Sequence, residues 1–393
     1  MGYWSDRQIE MNEGPNLGTV DKYACSSCVV DEALEELVEQ NITSNNCSYC
    51  DDFNEDTPFG APFDVVMERI YETILTKYAD AQDLDMPWVE GGWLTEEIYT
   101  EDVVGDFDPG WGSNFLNDVI NCLDPFTYWA EHSNGDWALV NPSAALNYGW
   151  ESFKQQVLTK TRYLVLSEPE DEFESGRPDY IPISGMLDAL GEVFRDYGLI
   201  VELPVGENFF RVRACSNKKD VFDTFESMGV PPVGIASGGR MNPAGISYFY
   251  IARDPETARK EVLAKARVRH YLGHFKNKKP LRLIDFVNIP SIPSIFAKDS
   301  YDTLHAVKFL HSLKKDIIKP VSKDGREHID YIPTQIISEY FRYRFKDQEG
   351  HNVNGFMYPS VKNNGGVNIV VFDSDNPSLQ DAFTLIKTTR AGA

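Results

Sequence analysis

The stretch GGRMNPAGISYFYIARDPETARKEV, residues 238–262, carries three structural signals in direct succession. It opens with a glycine-rich turn that contains an arginine, and glycine lets a backbone approach a neighbouring group closely. The apolar run Tyr248–Ile251 is typical of a short strand. Asp254 and Pro255 then suit the N-cap and first turn of a helix, in which Glu261 stands two turns further on. The stretch therefore predicts a turn, a strand and a helix.

The turn differs from the two common glycine-rich phosphate-binding motifs. It lacks the GKS or GKT of a P-loop, and it is not the dinucleotide-binding GxGxxG that follows a strand. Just upstream, the alternating run Phe209–Ala214 predicts a strand with Arg211 and Arg213 on one face. Two arginines that face one way, followed by Arg240 in the turn, suit an anionic ligand.

Charge divides the chain near residue 208. The chain has 37 basic and 61 acidic residues, a net charge of −24. Residues 1–208 hold 9 basic and 42 acidic residues, whereas residues 209–393 hold 28 and 19, so the two parts carry −33 and +9. The acidic part would repel phosphate, so nucleic acid is not an expected partner. The 42% of hydrophobic residues can fill packed cores, which excludes wholesale disorder.

The sequence gives no sign of a membrane or export signal. No run approaches the roughly 18 consecutive apolar residues of a spanning helix. The first residues also lack a basic segment followed by an apolar one. We therefore expect a cytoplasmic protein without a membrane partner.

Four of the six cysteines form two CxxC pairs. In the cytoplasm such cysteines stay reduced unless they bind metal. Cys25, Cys28, Cys47 and Cys50 have the spacing of a tetrahedral structural zinc site, and a closed set of four thiolates leaves no open position for catalysis. The alternative is four free thiols.

The acidic part is predicted to be mainly helical. Asp31 suits the N-cap of a helix with Leu34 and Val38 on one face, and further helices are expected within residues 56–82, 113–132, 143–166 and 183–197. We divide the chain into a zinc-clipped helical module, an acidic helical domain and a basic catalytic domain: residues 1–55, 56–200 and 201–393.

A series of motifs in the basic half resembles the RES domain, named for Arg, Glu and Ser, the toxin domain of a class of bacterial toxin–antitoxin systems. The motifs run from about residue 205 to 375: FRVR, GGRMNPAGISYFYIARDPETARKEV, KKPLRLIDF, YIPTQIISEYFR and GFMYPSVKNNGGVNIVVF. The CxxC-bearing region in front resembles the HEPN/RES N-terminal domain of larger proteins of this kind. A HEPN ribonuclease is excluded, because His132 is the one histidine before residue 209 and no arginine precedes it closely.

The resemblance implies an α+β protein with a helical zinc-containing N-terminal domain and a split β-sheet of the ADP-ribosyltransferase type. Members destroy NAD or transfer its ADP-ribose. Where the family's turn commonly carries Trp, this chain has Met241. The family's functional residues fall on five positions: Arg211, Arg240, Tyr250, Glu261 and Ser360.

Each charged position has a chemical role in the cleavage of NAD. Breaking the nicotinamide–ribose bond leaves positive charge at the anomeric carbon, which the carboxylate of Glu261 would stabilise. The guanidinium groups of Arg211 and Arg240 suit the pyrophosphate, with Arg213 as a further contact.

The remaining two positions are polar and uncharged. Tyr250 would stack on the nicotinamide ring, and Ser360 would reach the carboxamide or a ribose. Structural explanations stay open at this point: Glu261 facing solvent, Arg240 bracing its own loop, Tyr250 filling the core and Ser360 forming a turn.

The resemblance thus implies a toxin or defence effector that cleaves NAD, as a glycohydrolase or phosphorylase, with NAD as substrate, and the CxxC pairs add zinc as a structural ion. Transfer of ADP-ribose to a protein or metabolite is an alternative within enzymes. A module that binds a partner or nucleic acid without catalysis is a second alternative. An antitoxin or regulatory protein is compatible with the resemblance, and the oligomeric state stays open.

Overall fold

The computed structural model describes residues 17–50, 52–95, 98–165, 176–217, 219–232, 234–263, 269–320, 325–372 and 376–391. They divide into two units. Unit 1 comprises residues 1–144 and 291–306, and unit 2 comprises residues 145–290 and 307–393. Helices and sheets occur together, which confirms the α+β class. Among the described residues, no helix is both long and apolar enough to cross a bilayer.

Unit 1 consists of short helices and two-stranded sheets around an apolar core. Its second helix confirms the predicted cap, because the Asp31 carboxylate accepts from the backbone N–H groups of Ala33 and Leu34. The elements are β1 Tyr23–Cys25, α1 Ser26–Val29, α2 Glu32–Gln40, β2 Gly60–Pro62, α3 Phe63–Ile74, β3 Tyr78–Asp80, β4 Trp88–Val89, β5 Gly92–Trp93, α4 Thr100–Gly105, α5 Ser113–Cys122 and β6 Trp129–Glu131.

A segment from the second half of the chain completes the core of unit 1. Phe296 is 1% exposed and lies with its ring centroid 5.9 Å from that of Trp111. Arg69 donates to the Phe296 carbonyl, and Ser294 donates to Asp31 at 2.7 Å. Residues 291–306 are therefore part of unit 1, although they follow strands of unit 2 in the sequence.

Unit 2 is built on an eight-stranded sheet with helices. Its elements, of which α6 and α10 begin in unit 1, are α6 Pro142–Thr159, α7 Met186–Asp196, β7 Ile200–Leu203, β8 Asn208–Ala214, α8 Phe225–Met228, β9 Phe249–Ala252, α9 Pro255–Val262, β10 His270–Asn277, β11 Leu281–Asp285, α10 Tyr301–Ile318, α11 Glu327–Asp330, α12 Ile332–Tyr343, β12 Gly355–Pro359, β13 Val367–Val371, α13 Asn376–Ala382 and β14 Phe383–Ala391. The strand order in the sheet is β14-β10-β8-β9-β13-β12-β11-β7. Neighbouring strands are antiparallel except for the parallel pair β11 and β12.

The two units divide the chain at places other than the predicted boundary at residue 200. Helices α6 and α7 precede residue 200 and so fall within the predicted acidic domain. Their apolar faces, however, fill the core of unit 2. The Phe194 ring lies 4.9 Å from that of Phe286 and 5.6 Å from that of Phe341. Net charge could not reveal this arrangement, because the buried side of an amphipathic helix carries none of its charge. Residues 166–175, between α6 and α7, lie outside the described residues.

The sheet opens between β8 and β9. Their ladder has a single register pair, Phe210 opposite Ala252, whereas β8 and β10 pair over seven positions. Two strands that diverge after one pair leave backbone groups without ladder partners and make room for side chains between them. This opening is the split of the predicted fold.

Candidate active site

The strand register places several side chains on one face of the sheet at this opening. Opposed residues in antiparallel pairs point to the same side. Tyr358 of β12 opposes Asn368 of β13, and Asn368 opposes Ala252 of β9. Tyr250, two residues before Ala252, shares the face. Ala258 of α9 belongs to the same small apolar cluster as Ala252, so the helix covers this face.

A cleft of about 180 Å³ lies between α9 and the sheet. Apolar residues of β8, β9 and α9 form much of its wall. Its polar and aromatic lining consists of Arg211, Tyr250, Glu261, Tyr358 and Asn368. Three of the predicted site residues therefore meet in one cleft.

Glu261 is fixed in this cleft by three side chains. It stands three residues after the buried Ala258, on the same side of α9. Its Oε1 accepts hydrogen bonds from Ser360 Oγ and Asn368 Nδ2, each of 2.7 Å. Its Oε2 lies 3.5 Å from the ammonium of Lys362. The side chain is 31% exposed, so the carboxylate is held in place and accessible.

Ser360 contacts Glu261 and a backbone turn. The residue is 8% exposed, and its Oγ accepts from the N–H groups of Lys362 and Asn363. A hydroxyl has one proton to donate, and that of Ser360 goes to Glu261. The arrangement favours orientation of the carboxylate over the expected contact with a carboxamide or ribose.

Arg211 lies where the sheet opens. Its Nη1 donates to the Tyr250 carbonyl at 2.8 Å, and its guanidinium carbon lies 5.4 Å from the Phe249 ring centroid. Its Nε is buried and has no hydrogen-bond partner among the described residues. Burial, and next the charge of Arg213, lower the pKa of Arg211 to about 10, so the group is cationic at neutral pH. An incompletely paired cation at the cleft suits an anionic ligand.

Tyr250 presents its ring to the cleft while its hydroxyl holds the glycine-rich turn. The hydroxyl donates to Asn242 Oδ1 at 2.8 Å and accepts from the Met241 N–H at 3.2 Å. Burial raises the pKa of Tyr250, against a smaller lowering by that N–H. A Cβ on Gly239 would lie 2.6 Å from Asn242 Oδ1, so the glycine is required by this close approach inside the protein.

The structure does not bring Arg240 into the lining of this cleft. Its two Nη groups donate to the carbonyls of Ile317 and Lys319, and its guanidinium carbon lies 5.5 Å from the Tyr331 ring centroid. It lines an adjacent cavity of about 730 Å³ together with Tyr331 and the exposed side of α6. These bonds join the glycine-rich turn to the end of α10 and the residue that follows it.

Arg213 is also outside the cleft lining. Its Nη1 donates to the Ser227 carbonyl at 2.7 Å, and its guanidinium carbon lies 4.7 Å from the Phe222 ring centroid. Burial lowers the pKa of Arg213. These contacts hold the start of the chain segment between β8 and β9.

Sequence reasoning missed three residues that contact Glu261 or line its cleft: Tyr358, Lys362 and Asn368. Asn368 had a detectable signal, because it is a polar residue within the apolar strand Val367–Val371. Tyr358 and Lys362 flank Ser360 in the same motif. Their distance from Glu261 depends on pairing between strands far apart in sequence, which periodicity does not reveal.

The four cysteines of the CxxC pairs come together in unit 1. Their Sγ atoms lie within 4.8 Å of one another, with Cys25 and Cys50 at 3.8 Å and Cys28 and Cys47 at 3.7 Å. Ligands about 2.3 Å from a zinc ion at tetrahedral angles lie about 3.8 Å apart, so the cluster is compatible with zinc. Burial opposes ionisation of Cys47, yet N–H groups such as that of Tyr49 leave its pKa lowered.

Comparison with known families gives two matches. The family model of the RES domain matches residues 208–391, and that of HEPN/RES N-terminal domain 1 matches residues 40–171. The chain therefore contains a region that matches the HEPN/RES N-terminal domain, followed by a region that matches the RES domain. The RES match contains the whole cleft, from Arg211 to Asn368. No curated protein matches the chain.

The two family regions do not coincide with the two units. Helix α6 falls within the HEPN/RES N-terminal match but packs mostly in unit 2, beside the RES sheet. The N-terminal match begins after Cys28, so it includes only the second CxxC pair. A RES domain indicates an NAD-related toxin or effector activity, and its match includes the residues that line the cleft around Glu261.

Proposed function

We propose that this protein cleaves NAD at the bond between nicotinamide and ribose and so depletes NAD in the cell. The observation that carries the proposal is the carboxylate of Glu261, oriented by Ser360 and Asn368 in a cleft that also contains Arg211. These groups match the requirements of the reaction: a fixed negative charge, a nearby cation and an aromatic wall.

The chemistry needs charge stabilisation. The carbon–nitrogen bond breaks, its electron pair leaves with nicotinamide, and the anomeric carbon becomes positive. Glu261 would stabilise that charge, because a preorganised carboxylate needs no reorientation as the charge develops. Water then attacks and loses a proton, which gives nicotinamide, ADP-ribose and H⁺.

The other cleft residues bind and orient the substrate. Arg211 would contact a phosphate of NAD through its incompletely paired guanidinium. The rings of Tyr250 and Tyr358 border the space beside Glu261 and would stack on nicotinamide. Lys362 neutralises part of the charge of Glu261 from outside.

The decisive experiment compares two carboxylates of one helix. The purified full-length protein is incubated with NAD, with and without phosphate, and nicotinamide and ADP-ribose products are followed by chromatography. Glu261→Gln should lose nearly all turnover, whereas Glu256→Gln, an exposed residue of the same helix, should keep it. Equal turnover in wild type and Glu261→Gln would overturn the proposal.

Transfer of ADP-ribose to a protein or metabolite is the second candidate. It shares the first step, and only the nucleophile differs. The accessible side of Glu261 has room for either, since 31% of its side chain is exposed. Release of nicotinamide without an equal amount of free ADP-ribose would support transfer. Formation, in the presence of phosphate, of ADP-ribose that carries a phosphate on the anomeric carbon would support phosphorolysis.

We also propose that the cysteine cluster holds zinc in a structural role. When bound, the ion would join α1 and the loop containing Cys47 and Cys50. The four thiolates would complete its coordination, so no step of the NAD chemistry passes through it.

A further inference from the structure

The cleft at Glu261 is too small for a whole dinucleotide. Its volume is about 180 Å³, whereas pockets for drug-sized ligands have roughly 300 to 1,000 Å³. It can accommodate the part of NAD at the scissile bond, so the adenylate half needs a second subsite.

A larger cavity adjoins the cleft across the glycine-rich turn. The turn carries Arg240, which lines the cavity of about 730 Å³, while Met241 and Asn242 of the same turn are bonded to the hydroxyl of Tyr250, which lines the cleft.

The far wall of the cavity comes from outside the RES match. It is formed by α6, and the exposed residues of that helix from its second turn onward all lie on one stripe facing the cavity. The stripe begins with an aromatic and an acidic residue and continues with uncharged hydrogen-bonding residues: Tyr148, Glu151, Ser152, Gln155 and Thr159.

The opposite wall supplies a cation and a ring. In the described contacts, Arg240 donates two of its five N–H groups to backbone carbonyls. These bonds fix the guanidinium beside the Tyr331 ring. Lys154 on α6 is paired with Asp316 at the cavity edge. Among lining residues of both charge signs, Glu151, Lys154, Asp316, Lys319 and Asp330, the cavity offers uncharged donors and acceptors, an aromatic ring and the fixed Arg240, a combination that can bind a nucleoside joined to a phosphate.

We propose that this cavity binds the adenosine end of the dinucleotide, and that α6 of the HEPN/RES N-terminal region is part of the substrate site. The inference rests on the proposed NAD function but makes a separate claim about binding. Arg240 would then contact the substrate from the adenosine side, and the protein would bind ADP-ribose whether or not it turns over NAD.

The test fills the cavity from α6. Titration calorimetry of the full-length protein with ADP-ribose should show binding, weakened about tenfold or more by Ser152→Trp, because the indole would occupy space that the adenosine needs. Thr159→Trp, at the other end of the stripe, should also weaken it. Thr389→Trp, an exposed residue of β14, should match wild type.

Activity provides a second readout. Ser152→Trp should lower kcat/KM for NAD more than for nicotinamide mononucleotide, which lacks the adenylate. If wild type does not cleave NAD but binds ADP-ribose more tightly than both α6 variants do, the proposed function is wrong and the subsite is supported. Unweakened ADP-ribose binding in both variants, or no binding by wild type, would overturn the subsite.

Discussion

Asn368 of β13 and Glu261 of α9, 107 residues apart in sequence, are joined by a 2.7 Å hydrogen bond. The bond ends on Oε1, the same oxygen that accepts from Ser360. Two neutral donors on one oxygen fix the rotation of the carboxylate. A sheet residue and a strand-end residue thus together orient an acid that belongs to a helix.

Loss of either donor should reduce catalysis more than folding. Asn368→Ala and Ser360→Ala are each expected to lower kcat for NAD about tenfold to a hundredfold, since small misplacements of a reacting group have effects of that size. Asn352→Ala, an exposed asparagine outside the cleft, is the control.

Asn368→Asp separates orientation from packing. An ionised carboxylate at position 368 cannot donate to Glu261 and repels it, although the side chain keeps its size. Asn368→Asp should therefore lower kcat for NAD at least as much as Asn368→Ala does. Turnover close to that of wild type would indicate that Asn368 acts through packing and not through the bond that it donates.

The two adjacent glycines of the turn should respond differently to alanine. In Gly239→Ala the new Cβ meets Asn242 Oδ1 at 2.6 Å and the Tyr250 hydroxyl at 3.0 Å, whereas in Gly238→Ala the nearest atom is at 3.5 Å. We expect Gly239→Ala to cost about 1 to 3 kcal/mol of stability, through overpacking, and Gly238→Ala to cost little. Chemical denaturation of both variants checks this, and equal midpoints would contradict it.

The N-cap of α9, the helix that carries Glu261, should make the free energy of unfolding depend on pH. Burial opposes ionisation of Asp254, but hydrogen bonds from the Thr257 side chain and N–H lower its pKa. A depressed pKa in the folded state gives stability that is present above the unfolded pKa and lost as pH falls through the folded value.

Asp254→Asn is the matched variant, because asparagine also caps but cannot ionise. Its melting temperature should fall less steeply than that of wild type between about pH 4 and pH 2. Asp254→Ala should lose about 1 kcal/mol at neutral pH. Parallel acid profiles of wild type and Asp254→Asn would count against the assignment.

Removal of metal should destabilise unit 1. Metal analysis of the purified protein should give one zinc per chain. A strong chelator should lower the temperature at which unit 1 unfolds. Cys28→Ser should do the same, whereas Cys215→Ser, in unit 2, should retain the metal. A metal-free protein with an unchanged transition would disprove the zinc proposal.

Phe296→Ala should also destabilise unit 1, although residue 296 follows β11 in sequence. Emptying a fully buried phenylalanine site costs about 3 to 5 kcal/mol. Hydrogen exchange should accelerate in α3 and α5, whose apolar residues share that core. Ile292→Ala, a half-exposed residue of the same segment, should leave exchange unchanged.

The sequence predicted local features well. The helix cap at Asp31, the strand with Arg211 and the helix with Asp254 at its start all depend on neighbours within a few residues, and each is observed. Glu261, Arg211 and Tyr250, which the family's motifs combine from distant parts of the sequence, line one cleft.

Long-range packing was the part that could not be predicted. The separation of Arg240 from the cleft follows from carbonyls of Ile317 and Lys319, nearly 80 residues later. The positions of α6 and of Phe296 likewise result from apolar contacts between remote segments. Charge and periodicity describe a segment's own surface and carry no information about which partner buries it.

The excursion of residues 291–306 into unit 1 affects the order of events during synthesis. Domains commonly begin to fold from the N-terminus as they leave the ribosome. Here the first unit lacks Phe296 until β7 to β11 of the sheet have already been translated. The core of unit 1 is therefore completed only by a residue from the later-translated RES region, so complete folding of unit 1 depends on synthesis of that region.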